Sequence, residues 1–212
     1  MGELNNIGLK TGTDKNSIYH NYCDIYESYL RQWKEKNVAL IELGTGGYDY
    51  PDRGGEGIRM WYEYFKRGAI TSLDLYEKHG IANDRTEFWQ GSQVDKHLLK
   101  TIISRNINAE IRVIIDDASH NNELTIESFK IIFPLLKSGD LYFVEDVHTS
   151  YYEDEEYGGK TWPGEPTTTM WFFTNLTHQL NAEHLKEEHR NEYAYKIEFI
   201  HFYKEMIVIK KL

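Results

Sequence analysis

Two short apolar runs in this 212-residue chain each end in a pair of acids. Asp116–Asp117 follows one run, and Glu145–Asp146 follows the other. Runs of this length, bounded by turn-type residues, read as buried strands. If the two strands are parallel neighbours, both pairs emerge at the carboxyl edge of the sheet, where open α/β sheets bind ligands. Carboxylates crowded there repel one another unless a cation joins them, and hard oxygen donors suit Mg²⁺ or another divalent ion. His120 lies three residues after Asp117, close enough to act as a base beside such an ion. Asp116 should point to the opposite side of its strand by the two-residue period, in a structural or cofactor-side role. Each acid has a plainer reading as a turn or helix cap. His120 likewise reads as a loop histidine bonded to backbone, or as a first-turn residue behind a Ser119 cap. Two acid pairs on neighbouring strands favour the metal. His148, just beyond the second pair, is either a group behind the ligands or an exposed side chain.

A second constellation stands earlier in the chain. An apolar strand over residues 38–43 runs into Gly44-Thr45-Gly46-Gly47, a turn that lets backbone approach a ligand because no Cβ blocks it. Glu42 precedes the glycines, and Asp74 ends the next strand. In nucleotide-binding α/β folds an acid at that second position holds ribose hydroxyls. The dinucleotide fingerprint is not matched, because Gly47 leads into a loop over 48–56 rather than straight into a helix. That lowers the odds of a nicotinamide enzyme.

The elements that must position these groups follow from periodicity. Residues 1–16 are polar and Gly-rich and read as a mobile or capping arm. An aromatic stripe with three- and four-residue spacing predicts a helix over 18–36, with His20 and Tyr22 near its start able to face a substrate. Helices are expected over 57–67 (with Gly68 as C-cap), 98–103, 122–137 and 167–185. Strands are expected over 38–43, 70–76, 87–91, 111–117 and 141–144. The runs 197–203 and 206–211 form an antiparallel hairpin. Residues 148–166 are acidic, aromatic and Gly-rich and include Trp162-Pro163-Gly164; so long a loop reads as a lid or binding loop. Its acidic stretch 153–156 reads most simply as a solvated face. Alternating strands and helices ending in a hairpin give an α/β doubly wound, mostly parallel sheet with a C-terminal antiparallel hairpin, the class I methyltransferase (Rossmann-like) pattern among others. The division expected is an N-terminal arm and helix capping the site, 1–36, and one catalytic domain, 37–212.

Composition narrows the partners. The formal net charge of −10 argues against nucleic acid and anionic membrane. The single cysteine, Cys23, cannot form an internal disulfide and reads as a packed thiol. No apolar run approaches the ~20 residues that cross a bilayer, and no basic-then-apolar leader opens the chain. A soluble cytoplasmic protein is expected. Tyr- and Trp-rich segments could form a homo-oligomer face.

At these residues the chain resembles the metal-dependent sugar O-methyltransferases of the macrocin and mycinamicin type. The matching stretches are Thr13-Asp14-Lys15 with His20 and Tyr22, Glu42-Leu43-Gly44-Thr45-Gly46-Gly47, Arg59-Met60-Trp61, Asp74, Gly91-Ser92-Gln93, Asp116-Asp117-Ala118-Ser119-His120, Glu145-Asp146 and Thr149-Ser150-Tyr151. They fall in the same order over roughly residues 10–160. Ala118 stands where the family often has Gly, His148 stands where it is more often polar and uncharged, and the segment after Tyr151 is unusually acidic. The resemblance implies S-adenosylmethionine as methyl donor and Mg²⁺ held by Asp117, Glu145 and Asp146. It implies His120 as general base, with Asp117 beside it in catalysis. Glu42, Gly44, Thr45, Gly46, Asp74 and Asp116 would surround the cofactor, with Ser92 and Gln93 near its adenine. His20, Tyr22, His148 and Tyr151 would face a sugar-bearing acceptor. A catechol-type O-methyltransferase and a non-catalytic nucleotide- or metal-binding protein of the same fold are the alternatives.

Overall fold

The computed structural model describes residues 2–159 and 165–212. The chain divides into two compact units, Met1–Ala118 and Ser119–Leu212.

The first unit is built on four parallel strands, β1 (Val38–Leu43), β2 (Ala69–Asp74), β3 (Thr86–Gln90) and β4 (Ile111–Asp116). β1 pairs with β2 on one side and β4 on the other, and β3 pairs with β2. Every residue of β1 and β4 is buried, the mark of strands covered on both faces. The register sets Leu43 level with both Leu73 and Asp116, so three strands end together. The chain winds outward from β1 through β2 to β3 and then returns to β1's other side. The crevice beyond β1 and β4 is therefore the switch point where such sheets take ligands.

Helices α3 (Glu56–Tyr64) and α4 (Lys96–Arg105) make two of the crossovers. Asp95 caps α4, its carboxylate accepting from the His97 and Leu98 amides. α3 stops at Tyr64 with Phe65 as its C-cap, so Gly68 is not the terminator the sequence suggested.

The N-terminal segment, read from its composition as a mobile or capping arm, contains a helix, α1 (Glu3–Thr11), with Leu4, Asn5 and Gly8 buried. A Cβ on Gly8 would stand 3.1 Å from Cys23 Sγ and 3.3 Å from Met60 Sδ, so the glycine admits close helix packing that a polar composition conceals. Cys23 is fully buried, as expected. The helix predicted over 18–36 is shorter: α2 (Tyr22–Leu30) followed by a 3-10 turn, Arg31–Trp33. Ahead of it Asn16 ties a knot, accepting from Ile18 N through its side chain and from Asn21 N through its carbonyl. These local bonds outcompete helix, Asn21 takes φ 59, and Ile18 and Tyr19 remain exposed.

The second unit contains α5 (Asn122–Ile132), β5 (Leu141–Val144), α6 (Thr169–Leu176), β6 (Ile197–Phe202) and β7 (Ile207–Lys211). β7 runs antiparallel to both β5 and β6, so the expected hairpin is present. Pro134 ends α5 early in a 3-10 turn, Phe133–Leu135, because it removes a backbone donor. α6 gives way to 3-10 structure, Thr177–His184, broken at Asn181. Phe129 centres the core, meeting Phe133, Tyr142, Phe173 and Tyr193. Of the expected loop, residues 153–156 are exposed; Trp162-Pro163-Gly164 lie outside the described residues. No helix among the described residues is long and apolar enough to cross a membrane.

Candidate functional site

The glycine turn after β1 is shaped by contacts that only glycine permits. Gly44 has φ +92, and a Cβ there would collide with the Asp117 carbonyl oxygen. Its amide donates to Leu73 O at 2.8 Å, while Asp117 N donates to Leu43 O at 3.0 Å. The ends of β1, β2 and β4 are thereby laced together. Asp74 Oδ2 accepts from Thr45 N at 2.8 Å, and its Oδ1 accepts from Tyr76 N at 2.9 Å. Asp74 therefore braces the turn, and each oxygen keeps a second lone pair for a ligand. Thr45 Oγ1 meets Ser72 Oγ at 2.6 Å. The peptide after Gly46 doubles back, and Gly55 N donates to Thr45 O.

This turn walls a cavity of about 210 Å³, lined by Gly44, Thr45, Gly46, Glu42, Lys15 and Asp117 among others. Glu42 forms its floor, buried, with Oε2 lacking any hydrogen-bond partner among the described residues. Burial pushes its carboxyl up to about 7, against the opposing pull of the Lys15 ammonium. Deeper in the unit, Asp116 is buried and Gln93 Nε2 donates to its Oδ1 at 3.4 Å. Ser92 Oγ accepts from Val94 N. Asp117, just past the end of β4, is more open than Asp116.

Lys15 is the residue the sequence reading passed over. It lies inside the Thr13-Asp14-Lys15 stretch, where no role is legible for it. Its side chain is only 2% exposed, and Nζ lies 3.3 Å from Glu42 Oε1 and bonds to Asp117 Oδ2. The knot around Asn16 drives it inward, with Cys23 N bonded to Lys15 O. A Lys just before a Tyr-rich helix carries no spacing signal for such burial. His20 stacks on Tyr22 at 5.1 Å. Tyr22 is itself 1% exposed, so it supports His20 from beneath rather than offering a face of its own.

In the second unit the acid–base groups sit on strained backbone. His120 and Asp146 both have φ 52, unusual for residues with a Cβ. Asn121, not Ser119, caps α5, accepting from Glu123 N and Leu124 N. His120 thus stands outside the helix, contrary to the first-turn reading. The single hydroxyl hydrogen of Thr149 is shared between two acceptors, His120 O at 2.8 Å from Oγ1 and Asp146 O at 3.0 Å, which ties the two residues together. His120 Nε2 lies 3.6 Å from Asp146 Oδ2, and His148 Nδ1 lies 4.0 Å from Asp146 Oδ1. Glu145 is buried, His148 packs edge-on against Tyr152, and Tyr151 is exposed.

Two asparagines that sequence reasoning missed hold the segment beyond. Asn122 Nδ2 donates to Tyr157 O, its Oδ1 accepts from Thr169 N and Ser150 Oγ, and Asn121 Nδ2 donates to Glu156 O.

The chain matches the family described as Rhamnosyl O-methyltransferase/CmcI over residues 72–199. It is 32% identical over 183 residues to the 8-demethyl-8-(2-methoxy-alpha-L-rhamnosyl)-tetracenomycin-C 3'-O-methyltransferase of Streptomyces olivaceus, covering 86% of this chain and 46% of that one. It is 30% identical to the demethylmacrocin O-methyltransferase of Streptomyces fradiae, covering 99% and 53%. The solved MycE methyltransferase from the mycinamycin biosynthetic pathway, in complex with Mg, SAH and mycinamycin VI, is 29% identical. It superposes with a TM-score of 0.90 over 99% of this chain and 53% of that one. The chain spans about half the length of the curated relatives it matches. The fold is the class I methyltransferase fold expected from the sequence, with parallel strands first and antiparallel strands toward the C-terminus.

Proposed function

Because the chain belongs to the rhamnosyl O-methyltransferase/CmcI family, we propose that it moves the methyl group of S-adenosylmethionine to a hydroxyl on a sugar-bearing small molecule. The observation that carries this reading is the cavity at the switch point. It has a glycine turn in which a Cβ on Gly44 would collide with the Asp117 carbonyl, and a buried Glu42 carboxyl whose Oε2 has no hydrogen-bond partner among the described residues. Such a cradle suits a cofactor that carries ammonium, hydroxyl and sulfonium groups. Asp74 would take the ribose hydroxyls, with Gln93, Ser92 and Asp116 toward the adenine.

The resemblance implies Asp117, Glu145 and Asp146 as metal ligands; as hard oxygen donors these carboxylates would suit a magnesium-type ion. When bound, the ion supplies Lewis acidity that lowers the pKa of an acceptor hydroxyl. His120 Nε2 receives the hydroxyl proton. The Asp146 carboxylate beside it stabilises the imidazolium that results. With the cofactor bound, its sulfonium would supply the methyl group to the hydroxyl oxygen, leaving S-adenosylhomocysteine as the product. Holding oxygen, carbon and sulfur in line supplies up to about 7–11 kcal/mol in ideal cases. His20, Tyr151 and His148 would border the acceptor, with Tyr22 beneath His20. A small-molecule acceptor rather than nucleic acid accords with the net charge of −10.

The test is calorimetric titration of S-adenosylmethionine and S-adenosylhomocysteine, with and without Mg²⁺, on wild type and Asp117→Asn, followed by a screen of glycosylated acceptors. Cofactor binding and a Mg²⁺ site abolished by Asp117→Asn are expected. Binding of neither cofactor would refute the proposal.

A further inference from the structure

Lys15 has a charge that the reaction does not consume, and its placement is unusual. A lysine ammonium loses hydration when buried and persists only with strong partners. Here the partners are carboxylates from two strands, Glu42 of β1 and Asp117 just past β4. Gly57 packs close against the side chain: a Cβ at that position would stand 3.2 Å from Lys15 Cε. Its own amide bonds to Thr13 Oγ1 and its carbonyl to Cys23 N, so the backbone that carries it is fixed as well.

We infer that Lys15 is a resident counter-cation that sets how tightly Asp117 accepts a divalent ion, and so a positioning residue for the metal. This rests on the reading of Asp117 as a metal ligand. Lys15 Nζ already engages Asp117 Oδ2. A cation arriving at the same carboxylate meets the ammonium's positive charge at short range in a poorly solvated site, where like charges interact strongly. The ammonium also fixes the plane of the carboxylate and so the direction its oxygens present. Glu42 acts in the opposite sense. Its Oε1 shares the ammonium, and its negative charge partly offsets the repulsion that the ammonium exerts. The consequence is a metal site held weak enough for the ion to exchange, with its affinity written into two residues of the cofactor cavity.

The experiment is titration of Mg²⁺ alone, without cofactor, into wild type, Lys15→Met, Lys15→Arg and Glu42→Gln, followed by calorimetry with a thermal melt of each variant. Lys15→Met is expected to bind Mg²⁺ about tenfold more tightly than wild type, as expected for removing one like charge at close range. Lys15→Arg, which keeps the charge, should stay near wild type. Glu42→Gln should bind severalfold more weakly, because an anion near the ion is gone and the ammonium bears more heavily on Asp117. A purely structural ion pair predicts otherwise: folded Lys15→Met would bind Mg²⁺ equally or less tightly, and that result overturns the inference. If Lys15→Met loses its thermal transition, Glu42→Gln decides, and unchanged or tighter binding there overturns it. Absence of Mg²⁺ binding in wild type would instead refute the metal reading itself, and the inference with it.

Discussion

At the scale of single residues, the site is organised by backbone that most side chains avoid. His120 and Asp146 both hold left-handed conformations at φ 52. Each costs of order 1–3 kcal/mol and persists only where the surroundings over-determine it. Thr149 contributes to that determination: its one hydroxyl hydrogen is shared between the two carbonyls, and its amide donates to Asp146 O. Strain kept at two chemically capable residues points to use rather than accident. The substitution His120→Gly separates the two roles, because glycine adopts this conformation without penalty. It should lower kcat by about 10²–10⁴-fold, the usual worth of a general base. The midpoint of thermal unfolding should hold or rise. A fall in stability with turnover intact would show that the histidine is structural.

At the scale of elements, α5 does more than cover a sheet. Its first residues carry the polar groups that fasten the segment beyond β5. Asn122 is 1% exposed and bonds through both side-chain atoms to the backbone at Tyr157 and Thr169 and to Ser150 Oγ. The exposed acidic stretch 153–156 is thus tethered at its C-terminal end, and it is not a free loop. Asn122→Ala would leave buried groups unpaired, each at about 1–3 kcal/mol. Urea unfolding should show a loss of at least that size. Cleavage by a glutamate-specific protease within 153–156 should accelerate in the native protein. Equal cleavage rates in the two proteins would mean the tether does not order the segment.

At the scale of the whole molecule, the charge balance is the governing quantity. The chain carries 34 acids against 24 bases, and part of that excess gathers at strand ends. Carboxylates brought together by folding raise the energy of the native state until a cation neutralises them. A ligand that binds the folded chain and not the unfolded one stabilises it by mass action, by about 2.7 kcal/mol at a hundredfold excess over Kd. Mg²⁺ should therefore raise the thermal midpoint in proportion to the logarithm of its concentration, and a chelator should reverse the shift. Na⁺ at matched ionic strength should not reproduce it. An equal response to both salts would reduce the effect to general screening.

The sequence by itself determined the periodicities and the chemistry at strand ends. The mostly apolar runs of β1 and β4 read as strands covered on both faces, and the Gly-rich turn after β1 read as a place where backbone approaches a ligand. The acids at Glu42, Asp74 and Asp116–Asp117 followed from their places at the ends of β1, β2 and β4. The hairpin of β6 and β7 was equally legible, since its turn and alternation are local. What only the tertiary structure decided were the matters set by contacts distant in sequence. Polar composition hid α1, because Gly8 earns its place against Cys23 and Met60, fifteen and more positions away. The knot around Asn16 shortened α2, since side-chain bonds to nearby backbone prevailed over a helix that the aromatic stripe favoured. Lys15 became a buried cation through its pairing with Asp117, 102 residues further on. No local pattern encodes such a partner, because an ion pair depends on which distant segments folding brings together and not on how either residue is spaced from its neighbours.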